Sequence, residues 1–298
     1  MYNFLTKTYN FMRKIHSKIM KIRKKHAIKD RIKTFLLLFG VAIVLGILSN
    51  IVHEHSQERK SASIEQLLEN ALKPVGTTMY IWGGGWNDAD SGSGGEATKL
   101  GLSKKWKSFM KTQDKDYDFA EHRFEREKGL DCSGFVGWVL YNTFEVMEGK
   151  TGYVTTSTDM AESLAKRGWG KLLKKPREFL PGDIVSMEGH VWICLGTCAD
   201  GSVLLVHSSP PGVTVCGTPS KRTAESIAIQ LATEYMEKYH SEWQEKYPNR
   251  KVELSYLENV VLFRWGKTVM EDAERIQVKS AEEIMGILSP AMKKKESS

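Results

Sequence analysis

"EKGLDCSGFVGWVLYN", residues 127–142, sets a lone cysteine between an aspartate and a Ser-Gly pair where an apolar run begins. Asp131 stands where an N-cap belongs, and Phe135, Val136, Val139, Leu140 and Thr143 line one face of the helix that should follow. A helix start leaves N–H groups unpaired and carries the positive end of the helix dipole. Both favour a thiolate at Cys132, and the same N–H groups suit an oxyanion. The other reading is a small buried hydrophobe. A histidine supplied by another element would decide between them.

Of eight histidines, His16 and His26 lie in a basic tail, and His53 and His55 follow a long apolar run. His122 and His240 sit in charged segments and are expected to be solvated. His190 and His207 remain, on the adjacent predicted strands "HVWICLG" and "SVLLVHSS". Side chains alternate along a strand, so a hairpin joined by an even-numbered loop, such as one built on Asp200-Gly201, puts both on one face. The two rings would then point at the helix carrying Cys132, one as base and the other as its orienter.

Charge divides the chain unevenly. The formal net charge is +7, yet residues 1–33 hold 11 Lys/Arg against the single acid Asp30, leaving 32 basic and 35 acidic residues elsewhere. A near-neutral body with a basic tail does not fit a nucleic-acid-binding domain. "TFLLLFGVAIVLGILSNIV", residues 34–52, has no charged residue. As a helix it would extend about 28 Å, close to the apolar thickness of a bilayer. Lysines and arginines on one flank and "HEHSQERK" on the other predict a cytoplasmic N-terminus and an extracellular body. A cleaved signal peptide fits less well, because 33 residues precede the run and no small-x-small site closely follows it. In the tail, Phe4, Leu5, Phe11, Met12, Ile15, Ile19 and Ile22 recur at helical spacing among lysines, the pattern of a basic helix on an anionic membrane surface.

The expected organisation is a cytoplasmic segment 1–33, a transmembrane helix 34–52, a linker 53–60 and a body 61–298 with insertions at about 85–130 and 217–256. In the body, "SIEQLLENALKPVG" opens with a capping box, Ser63 and Gln66, and reads as a helix. "TMYIWGGG" is a short strand or turn, and 85–130 a loop with one short helix. "TSTDMAESLAKRG" is a helix begun by Ser157 or Thr158 and stopped by Gly168. "PGDIVSM", "HVWICLG", "SVLLVHSS", "GVTVCG" and "ENVVLFRW" follow as strands of an antiparallel sheet, with a polar helix near 222–246 before the last. "SAEEIMGIL" opens with another capping box, Ser280 and Glu283. Helices followed by a meander of strands make an α+β order.

With these residues in view, the body resembles the NlpC/P60 family of cysteine peptidases, which have a papain-like fold. The matching stretches run in order: "IEQLLENALKPVGTTMYIWGG", "LDCSGFVGWVL", "LPGDIVSMEGHVWICLG" and "VLLVHSS". The resemblance implies that Cys132 is the nucleophile, His190 the general base and His207 the third polar residue. It further implies that Tyr80 helps hold the oxyanion and that Asp131 and Ser133 line the pocket for the peptide. Members of the family cleave bacterial cell-wall stem peptides, commonly between γ-D-glutamate and the following diamino acid, and need no metal or other cofactor. Peptidoglycan stem peptides and the bacterial membrane are then the expected partners, with a cell-envelope protein as a possible third and no nucleic acid. The stretch from Gly84 to Asp131 is much longer than is usual in the family, and the insertion before the last strand is a second departure. A non-catalytic peptidoglycan-binding scaffold and a papain-like amidase or acyltransferase are the rival expectations.

Other signals are weaker. "NDADSGSGG" lacks the alternating acids and terminal glutamate of a calcium loop. Cys194, Cys198 and Cys216 are either buried thiols or include one disulfide, Cys198–Cys216. Trp138, Trp192 and Trp265 are expected in the core or in a groove wall, and Asp183 as a hydrogen-bonding residue at a strand end.

Overall fold

The computed structural model describes residues 62–221 and 225–296, together with positions 14, 17, 18 and 20 of the tail, which are helical. The chain divides after Arg59 into two units, of which the body is the second. The expected span 34–52 and the linker lie outside the described residues. Among the described residues no helix is long and apolar enough to cross a membrane.

The body is α+β: a curled, eight-stranded mixed sheet with seven α-helices among the described residues. Helix α1 (Ile64–Leu72) begins at Ser63, whose hydroxyl accepts the Gln66 N–H at 3.1 Å, as its sequence predicts. Strand β1 (Met79–Tyr80) leads into the first insertion, which contains α2 (Lys104–Thr112) and returns as β2 (Gly129–Leu130). Then come α3 (Cys132–Phe144), α4 (Met160–Lys166) and β3 (Gly170–Leu173). The meander is β4 (Ile184–Met187), β5 (His190–Thr197), β6 (Val203–Ser209) and β7 (Gly212–Gly217). Helices α5 (Ile227–Tyr239) and α6 (Ser241–Lys246) precede β8 (Val261–Trp265) and α7 (Ala281–Glu296).

The strands lie in the order β2-β1-β7-β6-β5-β4-β8-β3. Every pairing is antiparallel except β1 with β2, so the expected antiparallel sheet is mixed. That one parallel pair explains how the long first insertion is tolerated. Met79 lies opposite Gly129 and Tyr80 opposite Leu130, so the chain leaves the sheet and re-enters it alongside its point of departure. Tyr80 is thereby returned to the neighbourhood of Cys132 after a long excursion in sequence.

The insertion is folded rather than loose. Trp106 of α2 is fully buried, with its ring edge-on to Trp138 of α3 at 5.7 Å. The Tyr117 hydroxyl donates to the Tyr80 carbonyl at 2.6 Å. Asp88 and Asp90, the acids of the calcium-like stretch, both pair with Arg126. Because the insertion covers α3, that helix is buried almost all round, Trp138 and Tyr141 included, rather than along one stripe.

Other boundaries also differ from expectation. The capping residue of α4 is Asp159, one or two positions later than the serine and threonine read from sequence. Strand β3, an edge strand paired to β8, carries no clear alternation and adds to the strands expected from sequence. The second insertion contains two helices, not one, because the chain breaks at His240 (φ −142°, ψ 46°). Helix α5 is amphipathic rather than polar: Ala228, Ile229, Ala232, Tyr235 and Met236 are buried. At the C-terminus the capping box forms in both directions, the Ser280 N–H to Glu283 at 2.8 Å and the Glu283 N–H to Ser280 at 3.3 Å.

Alternation along the central strands separates two apolar layers. Val191, Ile193, Leu195, Leu204 and Val206 face the layer that holds α1 and α3. Trp192, Cys194, Val203, Leu205 and Cys216 face a smaller layer with Phe179, Val252 and Leu262. Cys198 belongs to the first layer and Cys216 to the second, so the Cys198–Cys216 disulfide is not formed, and all four cysteines are free. Asp183 takes the structural role expected of it, buried and held by Arg264 at 3.0 and 2.8 Å and by the Leu180 N–H at 2.7 Å.

Candidate active site

Cys132 is the first residue of α3. Its neighbour Asp131 is the cap, accepting from the Gly134 N–H at 2.7 Å and the Ser133 hydroxyl at 2.9 Å. Ser133 in turn accepts from the Trp86 indole at 3.0 Å. Asp131 and Ser133, expected to meet a substrate peptide, are thus buried and committed to holding the helix start. Burial raises the Asp131 carboxyl to about 6 against the pull of these hydrogen bonds. Gly134 is dictated by crowding, since a Cβ there would lie 1.9 Å from the Gly84 carbonyl oxygen. The glycine after Cys-Ser therefore lets the first insertion's entry strap pass across the helix start.

His190 opens β5 and His207 lies near the end of β6. The His190 Nε2 and His207 Nδ1 atoms are hydrogen-bonded at 3.0 Å. The predicted sharing of a face holds, but not through an even loop. The loop from Cys198 to Ser202 has five residues, an odd number, and by itself would put the rings on opposite faces. A β-bulge between Cys194 and Gly196 shifts the register by one and restores the parity. Gly196 makes the bulge possible: its φ is +144°, and a Cβ there would meet the Ala281 backbone at 2.9 Å.

Their shared face is not the one covered by the body of α3. His190 continues the alternation of Trp192 and Cys194, and His207 that of Val203 and Leu205, all on the smaller layer. The start of α3 meets β5 next to His190, where the Val191 N–H acts on the Cys132 sulfur. Tyr256 joins the three. Its ring lies 5.4 Å from that of His190 and 5.8 Å from that of His207, and its phenol interacts electrostatically with Cys132. No signal in the sequence marks Tyr256, whose short 3-10 turn (Leu254–Leu257) carries no motif. Tyr80, by contrast, is near the thiol as expected. Burial and the adjacent Cys132 and Asp131 raise its hydroxyl, so it remains a neutral donor.

The electrostatics correct one expectation. Burial, followed by the charge of Asp131, pushes the Cys132 thiol up to about 12, outweighing the backbone N–H groups of Val191, Ser133 and Cys132 itself. Burial lowers His190 to about 4, and burial with the nearby His190 and Arg250 charges holds His207 well below its usual value. At neutral pH the resting site is a neutral thiol beside neutral imidazoles. Among the described residues no hydrogen bond joins Cys132 to either ring. The helix start supplies donors, but burial dominates.

The two remaining histidines of the body are partly buried rather than fully solvated. His122 meets Glu125 at 2.7 Å and stacks on Tyr117. His240 is half-buried, its Nε2 has no partner, and burial lowers it to about 4. Compared with known proteins, the chain matches no family model, no curated protein and no solved structure.

Proposed function

We propose that the chain is a membrane-tethered peptidoglycan hydrolase of the papain-like NlpC/P60 type, anchored through 34–52. It cleaves stem peptides at the γ-D-glutamyl–diamino acid bond. The observation that supports this most is the 3.0 Å His190–His207 hydrogen bond, one residue along β5 from the Val191 N–H that acts on the Cys132 sulfur. With Nε2 of His190 engaged, Nδ1 is its free nitrogen. For Nδ1 to accept a proton, the Nε2–H must donate to His207 Nδ1, which stays an acceptor because His207 is kept neutral. His207 thereby fixes the tautomer of the base.

In the proposed cycle Nδ1 of His190 takes the Cys132 proton as the sulfur attacks the scissile carbonyl. The oxyanion meets the helix-start N–H groups and the Tyr80 hydroxyl. His190 returns the proton to the leaving amine, and water, activated by the same nitrogen, releases the acyl group.

A second reading, a scaffold that binds peptidoglycan without cutting it, is favoured by the neutral resting thiol and by Tyr256 lying against the histidine pair. Full-length chain in detergent, incubated with muropeptides beside Cys132→Ala, separates the two. New amines from the native chain alone are expected, and mass analysis of the products identifies the bond. Their absence at every pH tried supports the scaffold.

A further inference from the structure

Behind His207 lies a cavity of about 510 Å³, walled in part by His207, Ser209, Thr214, Tyr247, Arg250 and Tyr256. Arg250 is only 3% exposed. Its guanidinium donates to the Thr214 hydroxyl and the Tyr247 carbonyl, and Nε has no partner. Among the described residues no carboxylate pairs with it. Lys246 and Lys251 also line the cavity, against one acid, Glu253.

A buried cation without an anion is costly, and the usual remedy is a carboxylate that takes two parallel N–H bonds. Here the backbone prepares the side chain for such a partner. The Gly217 N–H donates to the Arg250 carbonyl at 2.8 Å, and the Val252 N–H donates to the Gly217 carbonyl at 3.0 Å, so the segment is fastened to the end of β7. Burial also depresses the Arg250 ionisation, the signature of a guanidinium short of partners. The cavity shares His207 and Tyr256 with the candidate active site, so a ligand bound there would adjoin the reacting centre.

We propose that this cavity is a carboxylate-binding subsite in which Arg250 receives an acid group of the peptide. The inference rests on the peptide substrate proposed above and adds a specificity element from the second insertion. Discrimination comes from a buried guanidinium left unpaired by an amidated ligand. An amide cannot satisfy it as a carboxylate does.

The test uses full-length Cys132→Ala in detergent, so that bound peptide is not turned over. Calorimetric titration compares L-Ala-γ-D-Glu-diaminopimelate with the same tripeptide amidated on every carboxyl, that of the D-glutamate included. The acid should bind about tenfold to a hundredfold more tightly, the range expected of a charge-assisted hydrogen-bond pair. Arg250→Gln should reduce that preference to within about twofold. Equal affinity for the two ligands in the parent, or a preference that survives Arg250→Gln, overturns the proposal.

Acetate provides a readout that needs neither peptide nor a folded glutamine variant. Titrated into the native full-length chain, it should shift the Arg250 Nε–H resonance, assigned through Arg250→Lys, and inorganic phosphate should shift it less. A larger response to phosphate overturns the carboxylate assignment. A saturable acetate shift in a chain that cleaves no muropeptide supports the site while removing the hydrolase reading. No shift in a chain that does cleave removes the site alone.

Discussion

If burial governs Cys132, its alkylation should betray a thiol that is protonated across the neutral range. The reference value for a cysteine is 9.0, and the folded thiol is raised to about 12, chiefly by burial and next by Asp131. At pH 7 the thiolate fraction is then roughly 10⁻⁵, about a thousandfold below that of a reference thiol. Iodoacetamide attacks only the thiolate. The rate at Cys132 should therefore rise about tenfold per pH unit from 7 to 11, with no inflection below 10. The other thiols are raised by burial as well, Cys194 well above its ordinary value, Cys198 to about 12 and Cys216 to about 11, so the alkylated residue must be assigned by position rather than by its pH profile. Cys132→Ala, followed by peptide mass mapping, isolates the signal. Tyr256→Ala should uncover the site and speed alkylation at pH 7 by about tenfold or more, since desolvation is the leading cause of the shift. A pH-independent rate with an inflection below pH 7 would mean a thiolate–imidazolium pair at rest. Burial would then not outweigh the helix start, and the charge states assigned to the site would be wrong.

Two further outcomes follow from packing and from the half-buried imidazole of the second insertion. Trp106→Ala removes a fully buried ring packed on Trp138, so urea denaturation should register a loss of about 3–5 kcal/mol; a loss below 1 would mean the first insertion is not part of the core. Burial lowers His240 from 6.5 to about 4, so the unfolded chain protonates it first as pH falls. Stability should drop across that window, by about 2 kcal/mol at pH 5 from this residue. His240→Gln should shrink the pH 7-to-5 stability loss by that amount in paired urea titrations; an unchanged loss would refute the assignment.

What could be read from the residues depended on whether the signal was local. Ser63 with Gln66, Asp131 before Cys132, and Ser280 with Glu283 each place a cap within four residues of its partner, and all three form. The strands β4 to β8 were legible because alternation and turn residues are also local properties. Strand β3 was not, because an edge strand paired on one side and partly buried has little pattern to show. The folded character of 85–130 was hidden for a different reason. Its apolar content is concentrated in a few rings, Trp106, Phe109 and Phe119, which matter only once Trp138 and Tyr80 are beside them.

The candidate site shows the same division more sharply. Its residue types were evident: a cysteine at a helix start and a histidine on each of two neighbouring strands. Their geometry rested on a parity that no local pattern fixes. An odd loop would have separated the rings, and only the bulge before Gly196 brings them back to one face. Gly196 is required there because α7, some eighty-five residues later, presses its Ala281 backbone against the strand. The hydrogen bond between His190 and His207 therefore depends on a turn, a bulge and a distant helix acting together. Arg250 and Tyr256 belong to the same category, since nothing in "YPNRKVELSYLEN" marks a cavity wall until β7 and the histidine pair are in position. The chemistry of this fold was written in single residues, whereas its arrangement, and the charge state that burial imposes on it, emerges only from packing across the sheet.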